Sequence, residues 1–132
     1  MRTKPCLSLT DVKKILEACE AEALKNRWNV AVAIVDEGAH LLGFQRMDGT
    51  GPISAEVAIG KARTSALTKR PSKFFEDRVK ERPAFANFPA GILIQGGLPI
   101  MHRNECVGAV GVSGVQSHED EQVAQAGVSA LG

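Results

Sequence analysis

The sequence predicts an α+β domain: a five-stranded antiparallel sheet with flanking helices, in the order α-β-β-α-α-β-β-β-α. Three observations predict it. A β-branched run, Val30–Asp36, and a returning strand, His40–Arg46, are joined by the turn Asp36-Glu-Gly-Ala39 and read as a hairpin. A glycine-punctuated tract, Gly91–Gly114, carries three more apolar runs, Ile92–Gln95, Leu98–His102 and Cys106–Val112, separated by Gly96-Gly97 and Arg103-Asn104-Glu105. Strands are grouped by hairpins and do not alternate with helices, which disfavours a parallel doubly wound sheet.

The elements follow in order. Ser8-Leu-Thr-Asp11 has the spacing of a capping box, and Val12, Ile15, Leu16, Cys19 and Ala23 mark one buried stripe of a helix running to about Asn26. After the hairpin, Met47–Pro52 is a loop and Ser54 is placed to cap a second helix. Val57, Ala58, Ala62 and Ala66 give that helix a narrow stripe of mostly small residues, suited to close approach to a sheet or a second copy; Lys61, Arg63, Lys69 and Arg70 lie largely off it. Pro71 stops the helix, and Ser72 is placed to cap a short one through Phe74, Phe75 and Val79. Arg82–Pro89, with two prolines, reads as a loop. Ser117-His-Glu-Asp120 resembles a second capping box, and Val123, Ala124, Val128 and Leu131 give the last helix its stripe.

The totals confine the function. The 132 residues, 44% hydrophobic, suffice for one domain over residues 1–132 with one proper core. Sixteen basic and fifteen acidic residues form no charge block, and five Phe, one Trp and no Tyr offer little stacking surface. Both disfavour a nucleic-acid partner. No apolar stretch approaches the ~20 residues of a membrane span, no signal-peptide core follows Met1, and three cysteines form no CxxC pair, so a cytoplasmic protein with reduced thiols is expected.

Candidate chemistry concentrates in a few residues. Arg46, in Arg46-Met-Asp-Gly49, ends a strand before a helix N-terminus and can hold a carboxylate bidentately, or it pairs with Asp48 or a second subunit. Asp36 is a proton carrier only if desolvated; otherwise it holds its own turn. Lys61 pairs with a carboxylate ligand, or with Asp36 or Asp48. His102 emerges at a strand end beside Arg103, where it can ligate iron, move a proton near neutral pH, or simply face solvent. His40 reads as surface and His118 as local capping. Met47, Met101 and Cys106 read as core filler. Ser113 lacks the esterase elbow and is a hydrogen-bond donor to a ligand rather than a nucleophile. No histidine pair has the spacing of a protein-ligated catalytic metal.

Several pieces together resemble the GlcG/HbpS family, the haem-degrading domain also found as the C-terminal part of PduO. They are Ala33-Ile-Val-Asp-Glu-Gly38, Arg46-Met-Asp-Gly49, Lys61-Ala62, Gly96-Gly-Leu-Pro-Ile100, Val107–Gly114 and Asp120-Glu-Gln-Val-Ala124, in the family's order and spanning Leu9 to Gly132. The resemblance implies a profilin-like or PAS-like fold, homo-oligomers that are often octamers, and haem or corrinoid binding in some members. On that footing the chain is a small-molecule-binding protein. Arg46, Lys61 or Arg103 would hold propionates, His102 would be the iron ligand, and Gly96, Gly97, Pro99, Ser113 and Gly114 would form the slot. Other members are encoded beside catabolic enzymes. The alternative is accordingly an enzyme of a catabolic pathway, such as aromatic degradation, acting on a small unsaturated or keto acid. Arg46 would then bind the carboxylate while Asp48 or His102 moves a proton in tautomerisation, hydration or hydrolysis.

Overall fold

The computed structural model describes residues 1–132. The helix α1 (Leu9–Lys25) begins where the sequence places it. The Asp11 amide donates to the Ser8 hydroxyl at 3.1 Å, and the Ser8 amide donates to the Asp11 carboxylate at 2.9 Å. Strands β1 (Ala31–Asp36) and β2 (Leu41–Arg46) form the first hairpin. Helices α2 (Ile53–Thr68) and α3 (Ser72–Glu81) follow, then a 3-10 turn over Pro83–Asn87 where the sequence suggested an irregular loop. Strands β3 (Gly97–His102) and β4 (Glu105–Ser113) form the second hairpin, and α4 (Ser117–Ser129) closes the order.

The sheet is antiparallel throughout, with order β2-β1-β4-β3. It has four strands, not five. Ile92–Gln95 is the run that does not pair, because helices take its backbone groups. The Ile92 amide donates to the Gly60 carbonyl at 3.0 Å, and its carbonyl accepts from the Thr64 hydroxyl at 2.9 Å. The Ile94 carbonyl accepts from Ser72 Oγ at 2.6 Å, and the Gln95 amide donates to Glu76. With these four groups taken by α2 and α3, the run lacks the free ladder that a sheet neighbour would need.

The same competition moves three expected caps. Pro52, not Ser54, is the N-cap of α2, and Ser54 lies buried inside the helix. Pro71 is the N-cap of α3, and the Ser72 hydroxyl instead bridges the Ile94 carbonyl and the Gly97 amide. The capping box of α4 is Gln116 with Glu119, one residue earlier than the sequence suggests. Asp120 is thereby released into the interior.

Two kinds of core meet the sheet. Val30, Val32 and Ile34 of the β1 region, with Leu98, Ile100, Val110 and Val112, pack against Val12, Ile15, Cys19 and Ala23 of α1 and Val123 and Ala124 of α4. On the opposite face, Ala31, Ala33, Val35 and Ala109 meet Ala58, Ala62 and Ala66 of α2. The period-2 alternation of β1 thus puts Val32 and Ile34 toward one helical layer and Ala31, Ala33 and Val35 toward the other, where the alanines let α2 lie close to the strands. No helix is long and apolar enough to cross a membrane.

Candidate functional site

Strand register decides which candidate residues can meet. Arg46 lies opposite Ala31, and Ala31 lies opposite Ser113, so these three form a row across one end of the sheet. His102 lies opposite Glu105, at the far end of β4 and on the other edge strand. Three strand spacings and eight residues of strand separate the two corners, roughly 30 Å. The expected convergence of Arg46 and His102 on one ligand therefore does not occur within a chain.

The His102 corner contains a cavity of about 480 Å³. The hairpin turn after His102 is Arg103-Asn104, both at positive φ (50° and 65°), the geometry of a two-residue type I′ connection. It sets Arg103 beside His102 on the cavity wall. Leu7, Ile100, Met101, Val107 and Leu131 supply the apolar lining, while Asp11 and Lys14 come from the first turns of α1. His102 and Met101 are exposed, so Met101 is not the core filler the sequence suggested. Bonds from the Ser8 backbone, then its hydroxyl, hold the Asp11 carboxyl below its ordinary range, assisted by Lys14 and His102. Two cations, an imidazole and one stabilised carboxylate thus face a hollow of mixed polar and apolar lining. Sequence reasoning missed Leu7, Asp11 and Lys14. The capping box accounted for Asp11 completely, and nothing in the local pattern joins α1 to a hairpin ninety residues away.

The Arg46 corner is an open shelf. Arg46 and Asp48 are both exposed, and Arg46 has no carboxylate within 4.0 Å. Ser113 is nearly buried, and Gly114 follows at φ +149°, where a Cβ would meet the Asn29 carbonyl at 2.5 Å. No side chain caps the adjacent N-terminus of α2.

Between the corners lies an ion pair that is not open to solvent. Lys61 is 2% exposed, contrary to its expected place off the buried stripe. Its Nζ donates to the Val112 carbonyl at 3.0 Å and to Asp120 Oδ2 at 3.1 Å, while Asp120 Oδ1 accepts the Val115 amide at 3.1 Å. Neither Asp36 nor Asp48 is its partner. Gly96 and Gly97 serve this contact. A Cβ at Gly96 would lie 2.7 Å from Lys61 Nζ, and one at Gly97 would strike the Lys61 carbonyl. Pro99 lies opposite Ala109 on edge strand β3, half-buried, where a missing amide proton is tolerated.

The other titratable groups have local work. Burial raises the Asp36 carboxyl, but the His40 and Gly38 amides and the His40 imidazole outweigh it, leaving the group below its ordinary range. His40 and His118 are exposed. No group of three or more His, Cys, Asp or Glu side chains is gathered to hold a metal. Burial pushes the Cys19 thiol up to about 12, whereas Cys6 is exposed and Cys106 half-buried. Ellman's reagent at pH 8 is therefore expected to titrate Cys6 at once and Cys19 only after denaturation, since the thiolate is the reacting form. Fast native labelling of a Cys6→Ser, Cys106→Ser variant would contradict the burial of Cys19.

A family profile described as "Haem degrading protein HbpS-like" matches residues 7–129. Protein GlcG of Escherichia coli K12 is 42% identical over 114 residues, covering 86% of this chain and 85% of GlcG. A crystal structure of a Streptomyces reticuli HbpS variant superposes with a TM-score of 0.93 at 32% identity, over 100% of this chain and 91% of that one. A PduOC:heme complex shares the fold at a TM-score of 0.88 and 24% identity, over 96% of this chain and 95% of that one. The ordered glycine, proline and acid motifs, the four-stranded sheet and these likenesses agree: the chain belongs to the HbpS-like family, the group that includes GlcG.

Proposed function

We propose that this protein binds haem or a related tetrapyrrole at the His102 corner. The observation that carries the reading is the cavity itself. In a chain of a family described as haem-degrading, this hollow joins an imidazole to apolar side chains and two cations. A porphyrin asks for those three things: an apolar surface for the macrocycle, positive charge for the propionates and, optionally, one iron ligand. His102 would supply the ligand, Arg103 and Lys14 the charges, and Leu7, Ile100 and Val107 the apolar contact. The bound group would contribute the redox-active iron; the chain contributes position and charge. Association of several copies would enlarge the apolar enclosure.

Titration with haemin tests this. A shifted Soret band that His102→Ala abolishes or weakens at least ten-fold is expected, with a smaller loss in Arg103→Glu. Identical titrations for the native protein and His102→Ala would remove His102 from the site.

A second reading draws on Arg46, whose guanidinium has no acidic partner. An enzyme acting on a small keto or unsaturated acid would use Arg46 and Ser113 to hold the carboxylate and Asp48 to move the proton. His102 has no part in it within one chain. Turnover of such an acid, lost in Arg46→Ala but kept in His102→Ala, would favour this reading.

A further inference from the structure

The balanced composition conceals a local excess of charge. Residues 69–82 hold six basic and three acidic side chains, against ten basic and twelve acidic elsewhere. Three of the six are arginines set over aromatic rings. The Arg70 guanidinium carbon lies 4.3 Å from the Phe74 centroid, and that of Arg78 lies 5.1 Å from Phe74 and 5.7 Å from Phe85. Arg82 lies 5.2 Å from Phe85. The result is an alternating ladder, Arg70–Phe74–Arg78–Phe85–Arg82, along α3 and the 3-10 turn. Phe75 and Phe88 back it, their rings stacked at 5.1 Å, with Phe88 5.5 Å from Phe85. Four of the five phenylalanines are in this one patch.

The acids within the segment are already engaged. Asp77 takes Lys73 and Lys80, Glu81 takes Arg78 at 3.6 Å, and Glu76 accepts the Gln95 amide. Arg70 and Arg82 are exposed and have no carboxylate within 4.0 Å. A guanidinium held over a ring has given up much of its rotamer freedom while keeping its N–H edge for an oxyanion. Arg70 and Arg82 are thus preorganised for an anion and have none, while Arg78 between them pairs with the exposed Glu81.

We propose that this ladder docks an acidic peptide segment in extended conformation, belonging to a protein partner. Arg70 and Arg78 share the Phe74 ring, which keeps their guanidinium groups less than ~10 Å apart. Carboxylates at positions i and i+2 of an extended chain face the same side and stand ~7 Å apart, within that limit, with a neutral residue between them. A phosphodiester strand, with one charge per ~3.4 Å of axis, has no such gaps and would run its charge past Asp77 and Glu81. The site is remote in sequence from the His102 cavity and does not depend on haem.

The test is fluorescence anisotropy with a labelled peptide, Gly-Glu-Gly-Glu-Gly-Glu-Gly, at low salt, beside an oligothymidylate of equal charge. The peptide is expected to bind in a salt-sensitive manner. The Arg70→Gln, Arg82→Gln variant should weaken it about ten-fold with an unchanged thermal transition, as loss of two anchor arginines predicts. Arg70→Lys with Arg82→Lys should weaken it as well, because a lysine keeps the charge but not the planar fork. Equal binding by the Gln variant, tighter binding of the oligothymidylate, or no binding by the native protein would each overturn the proposal.

Discussion

Replacing Asp120 with Ala is expected to destabilise this protein by about 3–5 kcal/mol, the usual cost of removing one member of a buried ion pair. Lys61 and Asp120 are each 2% exposed and 3.1 Å apart. Removing the carboxylate leaves an ammonium in the interior with only the Val112 carbonyl to receive it. The expected reading is a loss of about 10–20 °C in thermal midpoint for a chain of this size. The double variant Lys61→Met, Asp120→Leu should recover most of it, because two apolar side chains of similar volume remove both desolvation costs together. A midpoint within a few degrees of native for Asp120→Ala would show that the pair is not buried as described.

The pH dependence of this pair runs opposite to that of the surface acids. Burial pushes the Asp120 carboxyl above its ordinary range, opposed by the Lys61 charge and the Val115 amide. The folded state therefore holds that proton more tightly than the unfolded chain, so this group's contribution falls as pH rises from the ordinary carboxylate range through its own. Asp11 and Asp36 are held low; their contribution is present above the ordinary carboxylate range and lost as pH falls through their own values. Acid should unfold the protein through those two, not through Asp120.

How far the sequence could be read depended on whether a residue's partner lies nearby in the chain. The capping box at Ser8 and Asp11, the hairpin at Asp36–His40 and the turn at Arg103-Asn104 are short-range and were legible. Ser54, Ser72 and Asp120 matched equally plausible local patterns, yet their surroundings are set by packing. Ser72 serves Ile94 and Gly97 from twenty-two and twenty-five positions away, and Asp120 serves Lys61 from fifty-nine. Ile92–Gln95 failed for the same reason: its composition suits a strand, but helices reach its backbone first. The candidate site divides the same way. His102 beside Arg103 follows from the chain itself, whereas Asp11 and Lys14 on the same cavity wall required the fold. Arg46 and His102 each sit at a strand end, as read; that the ends are diagonal follows only from the order β2-β1-β4-β3.

Gly111→Ala is expected to cost more than 3 kcal/mol, or to prevent folding, although it adds a single methyl group. A Cβ at this position would strike the Ala58 carbonyl and lie 2.5 Å from the Ala62 amide nitrogen and 2.9 Å from the Ala62 Cβ. The obstruction is helix backbone, which no rotamer change can move, so the usual overpacking cost of about 1–3 kcal/mol is a lower bound. Relief would mean lifting α2 off β4, which separates Ala58, Ala62 and Ala66 from Ala31, Ala33 and Ala109 and exposes the whole small-residue layer. The glycines of the β3–β4 region read at first as ligand-contacting backbone, yet Gly97 and Gly111 both lie beneath α2, where the helix occupies the space a ligand would need. Gly51→Ala is the matched control, since a Cβ there meets nothing within 4 Å and φ is not positive. Equilibrium denaturation should separate the two variants by at least 3 kcal/mol; equal midpoints would mean that α2 does not press on the sheet, and the glycines would again be available to a ligand.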